Sequence, residues 1–176
     1  MITYQNILLI GGTGRNVGKT TFACKLINKF KEQEVVGMKI SPHMHDIQNA
    51  KNILSSNDKF LILKETNTDG KKDSSKMLNS GASEVFYIQA VDVALYDAFC
   101  FLQNNFIKDR IAICESAALA KFIKPAVHFC ITLKGIYYDS IEVHKFNYDF
   151  FVFNDKNNFD FDLNRIKNVN SKWFVD

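Results

Sequence analysis

Arginine is scarce in this chain: Arg15, Arg110 and Arg165 are the three among 176 residues, although lysine and arginine together number 22. Small-molecule kinases close an arginine-bearing lid over bound phosphates, because guanidinium pairs planar oxyanions bidentately. With Arg15 alone near a glycine-rich segment, that class is disfavoured. Long apolar runs are missing too. None approaches the roughly 18 residues needed to cross a bilayer, so no membrane span is expected. The start "MITYQNILLI" lacks a basic leader and a small-residue cleavage site, so no signal peptide is expected. The four cysteines (Cys24, Cys100, Cys114 and Cys130) are scattered in apolar contexts and form no C-x-x-C pair. A disulfide scaffold or a thiolate metal framework is therefore not expected, and reduced core thiols of a cytoplasmic protein are the plain reading. Strong charge of one sign is also lacking. A net +3 and pI near 8.6, with no dense basic stretch among aromatics, give no footprint for nucleic acid.

What is present is the composition of an ordinary globular domain, 47% apolar and 23% charged. Without repeat, low-complexity stretch or linker, residues 1–176 read as one domain. "NILLI" (Asn6 to Ile10) is a short apolar run followed at once by glycines, as suits a parallel strand buried on both faces. Phe22, Ala23, Leu26, Ile27 and Phe30 then recur at helical spacing. "VVGMKI" (Val35 to Ile40) is the next strand, so the unit is strand, glycine loop, helix, strand, a right-handed crossover. "FLILK" (Phe60 to Lys64), "EVFYI" (Glu84 to Ile88), "IAIC" (Ile111 to Cys114), "VHFCITL" (Val127 to Leu133) and "FFVF" (Phe150 to Phe153) read as further strands. A stripe from Val91 to Phe106 reads as a helix, and a short one is expected from Asp73. The alternation predicts an α/β fold of three layers, a mostly parallel sheet with helices on both faces.

"GGTGRNVGKTT" (Gly11 to Thr21) holds four of the chain's eight glycines. Its ending, Gly18-Lys19-Thr20, is that of the phosphate-loop pattern G-x-x-x-x-G-K-[ST], but the first glycine would fall on Thr13. Counted from Gly12 the spacing is G-x5-G-K-T, one residue longer. Such a loop converges backbone N–H groups and a helix N-terminus on an anion, with lysine reaching the outer phosphates and a hydroxyl holding Mg²⁺. The competing reading is a glycine turn before a lysine-started helix. A lysine at the positive end of a helix is unfavourable without an anion nearby, which tips the balance toward a phosphate loop. Candidate nucleotide contacts, for GTP or ATP, are therefore Gly12, Thr13, Gly14, Arg15, Asn16, Val17, Gly18, Lys19, Thr20 and Thr21.

Glu115 closes an apolar strand at the end where open α/β sheets bind ligands, so it can hold Mg²⁺ or be a solvated strand-end acid. Asp46 and Asp73 compete as a second carboxylate; Asp73 can equally cap its short helix. Lys39 ends the second strand and either faces the phosphates or the solvent. With Lys19 and Glu115 it completes the candidate catalytic set. His43 and His45 suit a substrate contact better than a zinc site, since no third ligand lies near. Asn154 and Asp155 follow a strand and can read a base, although the guanine-selective N-K-x-D pattern is absent; loop chemistry explains them as well. Trp173 is expected in the core or at a dimer contact.

The loop "GTGRNVGKT" resembles that of the dethiobiotin synthetase and cobyrinic acid synthase group; its Gly14 sets it apart from the lysine-first loop variant. "GMKISPHMHD" (Gly37 to Asp46), "DGKKDSSKMLNSGASEVFYI" (Asp69 to Ile88) and "IAICES" (Ile111 to Ser116) are similar to segments of the molybdopterin-guanine dinucleotide biosynthesis adaptor family, MobB-like P-loop proteins. The likeness spans most of residues 6 to 130, and residues 131–176 carry none. It departs in the longer loop, the extra lysine of "GKKDS" and Ser116 in place of a glycine. The resemblance implies a homodimeric, Mg²⁺-dependent GTP- or ATP-binding adaptor or weak NTPase that works beside a cofactor-biosynthesis enzyme. The alternative is an ATP-dependent ligase of the dethiobiotin type, in which Lys39 helps bind the reacting carboxylate or carbamate.

Overall fold

The computed structural model describes residues 1–44, 51–135 and 146–176, so the expectations for His45 and Asp46 fall outside the described residues. The chain forms an eight-stranded mixed sheet. Its elements are β1 (Ile2–Gly12), α1 (Lys19–Phe30), β2 (Val36–Ser41), β3 (Ile53–Ser56), β4 (Phe60–Lys64), α2 (Asp73–Asn79), β5 (Glu84–Ala90), α3 (Asp92–Leu102), β6 (Ala112–Glu115), β7 (Ile123–Leu133), β8 (Phe150–Asn154), β9 (Ile166–Val169) and β10 (Lys172–Val175). The strand order is β3-β4-β5-β2-β6-β1-β7-β8, with β9 and β10 as a separate hairpin.

The six strands from β5 to β8 in that order are parallel to one another. The edge pair is not: β3 and β4 are antiparallel to each other, and β4 to β5. Only Asn57, Asp58 and Lys59 separate β3 from β4, too few for the crossover a parallel pair requires. The Asn57 side chain closes that turn by accepting the N–H groups of Lys59 and Phe60 at 2.8 and 2.9 Å.

Alternation along the central strands divides the core in two. Leu8 and Ile10 of β1 and Ile113 of β6 pack with Phe22, Leu26, Ile27 and Phe30 of α1. Ile7 and Leu9 of β1, Met38 and Ile40 of β2 and Cys114 of β6 pack with Leu95, Ala98, Phe99 and Leu102 of α3. Every residue of the expected α1 stripe is buried. α3 is regular to Leu102 and passes into one π-helical turn, Gln103–Ile107, which ends the expected helix. On the α1 face, Gly37 of β2 leaves room for α2: a Cβ there would lie 3.6 Å from that of Met77.

The β9–β10 hairpin packs beneath the end of α1. Trp173 belongs to the core, 3% exposed, with its indole N–H donated to the Asn6 carbonyl at 2.9 Å and its ring edge-on to Phe30 at 4.8 Å.

Candidate functional site

The site lies where β1, β2 and β6 end. Register sets it. Ile10 pairs with Glu115, and Lys39 pairs with Glu115, so Lys39 and Glu115 project side by side onto the α1 face. β1 stops at Gly12, and the chain loops over residues 13–18 before α1 begins at Lys19.

Two glycines are forced by space. A Cβ on Gly12 would lie 2.7 Å from the Ile131 carbonyl oxygen, inside contact distance of backbone that cannot give way. Gly18, the N-cap of α1, has φ 103°, and a Cβ there would meet the Asn154 amide nitrogen at 2.4 Å. The loop is anchored on both sides. Thr13 donates its N–H to the Ile131 carbonyl, and its hydroxyl shares a 3.1 Å hydrogen bond with that of Thr132. Val17 is buried, and its carbonyl accepts the Asn154 amide at 2.9 Å. Gly14, Arg15 and Asn16 form the exposed tip, with Asn16 at φ 58°.

α1 carries no acid in its first turn, so its positive end meets no intrahelical counter-charge. Lys19 instead turns its ammonium onto the Gly14 carbonyl at 2.5 Å. Burial holds that ammonium below the ordinary lysine value, with Glu115 opposing. The Thr20 hydroxyl donates to Glu115 Oε2 at 2.7 Å, and Lys39 Nζ donates to Glu115 Oε1 at 2.5 Å. Lys39 also pairs with Asp73 at 3.1 Å, and Lys76 reaches Asp73 at 3.3 Å. Burial works against the Lys39 charge, but Glu115 and Asp73 outweigh it and hold that ammonium above its usual value. For Asp73, burial would raise the carboxyl, yet Lys39 and Lys76 leave it below the usual carboxylate range. Glu115 is 2% exposed. A buried carboxylate with a hydroxyl and an ammonium on its two oxygens is poised as a polar hub.

These groups line a cavity of about 470 Å³ with Arg15, Asn16, Gly18, Lys19, Thr20, Thr21, Lys39, Asp73 and Glu115 on its walls. It opens beside a larger cleft of about 990 Å³ that shares Arg15, Lys19, Lys39, Asp73 and Glu115 and also includes His43. No protein-family model, curated protein or solved structure matches this chain. The functional reading therefore rests on the residues and their geometry.

The structure brings Lys19, Thr20, Lys39, Asp73 and Glu115 together. Asp73 is the first residue of α2 rather than its cap, and its carboxylate faces Lys39 and Lys76 within the cluster. Other candidates have different work. Both ends of the Asn154 amide are engaged, Nδ2 on the Val17 carbonyl and Oδ1 on the Lys156 N–H, which makes Asn154 a strap under the loop. Asp155 closes a turn by accepting the N–H groups of Asn157 and Asn158. Ser116 is buried and accepts the N–H groups of Ala118 and Leu119, so the hydroxyl supports the chain after β6.

One cluster behind the loop was not foreseen. His128 is buried against the Tyr148 ring at 4.3 Å, and a Cβ on Gly11 would touch both side chains. The alternation of "VHFCITL" was the available signal, since it places His128, Cys130 and Thr132 on one face of β7.

Proposed function

We propose that the chain is a Mg²⁺-dependent nucleotide-binding protein of the three-layer phosphate-loop type, with the triphosphate of GTP or ATP held by residues Gly12 to Thr21. The observation that carries this reading is the convergence of Thr20 on Glu115, joining the start of α1 to the end of β6 at a 2.7 Å hydrogen bond. In a phosphate loop the hydroxyl after the lysine and a strand-end carboxylate share the metal's surroundings. The donor set fits magnesium: the Thr20 hydroxyl and the Glu115 carboxylate are hard oxygen donors of the kind that ion takes, and they would hold it together with phosphate oxygens and water. Among the described residues no group of three or more His, Cys, Asp or Glu could hold a metal ion, in keeping with an ion that would arrive with the nucleotide. Bound there, the ion would neutralise charge between the outer phosphates.

The chain's own residues supply the rest. Lys19 exchanges the Gly14 carbonyl for phosphate oxygens, and its partly desolvated ammonium gains a counter-charge at contact distance. The N–H groups at the start of α1 point at the same charge. Lys39, held at the site by Glu115 and Asp73, stabilises negative charge at the terminal phosphate. In cofactor biosynthesis such a protein acts as an adaptor or slow NTPase; that placement, and the homodimer, rest on the family resemblance. The position of Lys39 and the adjoining cleft favour one second reading, a ligase that activates a carboxylate or carbamate with ATP.

Calorimetric titration of ATP and GTP with Mg²⁺, on wild type and on Lys19→Ala, tests the proposal. Mg²⁺-dependent binding lost in the variant is the expected result. GTP preference with negligible hydrolysis supports the adaptor, and ATP preference supports the ligase. Failure of both nucleotides to bind overturns the reading.

A further inference from the structure

The 990 Å³ cleft has a lopsided charge. Besides Arg15, Lys19 and Lys39, its described walls carry Lys51, Lys64, Lys71 and Lys72. Against these seven cations stand three carboxylates, Glu65, Asp73 and Glu115, an excess of four positive charges. The whole chain has a net charge of only +3, so this one concavity holds more than all of it.

The acids inside are already committed. Glu65 accepts the hydroxyls of Ser74 and Ser75 and the N–H groups of Thr66 and Asn67. Glu115 and Asp73 are engaged with Thr20, Lys39 and Lys76 as described above. Lys64 is paired with Glu84. Lys51, Lys71 and Lys72 are exposed and have no ion pair among the described residues. Like charges gathered in a concave wall repel one another and focus a positive potential into the space they enclose. An anionic ligand relieves that repulsion.

We propose that this cleft binds a second ligand beside the nucleotide: a small molecule bearing two or more phosphate or carboxylate groups. Its volume lies at the upper end of the range for small-molecule sites. Ile40, Leu63 and Tyr87 offer a carbon skeleton an apolar rest between the charged walls. Lys39 lines both cavities, so it stands between two anions that would otherwise repel each other. The placement beside a nucleotide rests on the phosphate-loop reading; the anion site itself does not.

The test is calorimetric titration of citrate and, separately, 2,3-bisphosphoglycerate into protein saturated with Mg²⁺ and a non-hydrolysable triphosphate. The comparison variant is K51Q/K71Q/K72Q, three exposed positions whose change is expected to leave the fold intact, as a thermal midpoint equal to wild type would check. At least one probe is expected to bind saturably, and about tenfold or more weakly in the variant. Nucleotide affinity is expected to stay within about twofold of wild type. Binding of bisphosphoglycerate alone assigns phosphate groups, and binding of citrate alone assigns carboxylates. Should the nucleotide itself fail to bind, the same titrations on unliganded protein still read the cleft, and loss of probe binding in the triple variant keeps the anion site while the phosphate-loop reading falls. No saturable binding of either probe, or equal binding to wild type and triple variant, overturns the proposal.

Discussion

The two faces of the same three strands differ sharply near their C-terminal ends. Toward α3, Leu9, Met38, Ile40 and Cys114 continue a dry apolar layer to the end of the sheet. Toward α1 the layer gives way within one residue to Lys39 and Glu115, beside Lys19 and Thr20. Strand alternation alone produces the contrast. The α3 face obtains its stability from burial, whereas the α1 face ends in a charged hub that stabilises little by itself, the one to which the proposed nucleotide is assigned.

The largest expected effect is on the apolar face. Phe99 is fully buried, and Phe99→Ala should cost about 3–5 kcal/mol in denaturant unfolding. Molecules that remain folded should bind nucleotide as wild type does. A comparable loss of affinity in them would break the division between faces.

Next comes a polar exception on the α3 side. Burial holds the His128 imidazole at about 4, below the ordinary 6.5, so the unfolded chain takes up that proton first. The contribution of the neutral ring is complete above about pH 6.5 and lost as pH falls to about 4, in total about 3 kcal/mol. His128→Gln should flatten stability across that window, measured by unfolding at a series of pH values.

On the charged face, Lys19→Ala should weaken Mg²⁺-nucleotide binding by about a hundredfold. Its thermal midpoint should hold or rise slightly, because desolvation of the partly buried ammonium outweighs its attraction to Glu115. A large fall in stability would show that Lys19 supports the fold instead.

The smallest effect is expected at the loop's hinge. Gly18→Ala forces a side chain onto a left-handed residue and against Asn154, which should cost about 1–2 kcal/mol and loosen the strap on Val17. Asn154→Ala in the same background should then add little to the loss, since the two changes act through one contact.

Much of this arrangement is legible in the residues. The α1 stripe, the glycines before Lys19 and the apolar strand ending in Glu115 are local patterns, and each was where periodicity put it. Asn154 and Asp73 show the limit. Local pattern leaves Asn154 as a base contact or plain loop chemistry and Asp73 as a second carboxylate or a helix cap, and only their partners Val17 and Lys39, distant in sequence, decide between them. β3 was too short and too polar to stand out, and the C-terminal hairpin gains its meaning only from Trp173 reaching Asn6.

The sequence by itself determined the α/β alternation, the buried faces of the helices and the place of the glycine loop between β1 and α1, because hydrophobic period and glycine spacing act over a few residues. Tertiary structure alone decided that β6 lies between β1 and β2. That order sets Lys39 and Glu115 in register, under Thr20 and beside Asp73. Strand order is a contest among long-range pairings, and no local pattern encodes its outcome.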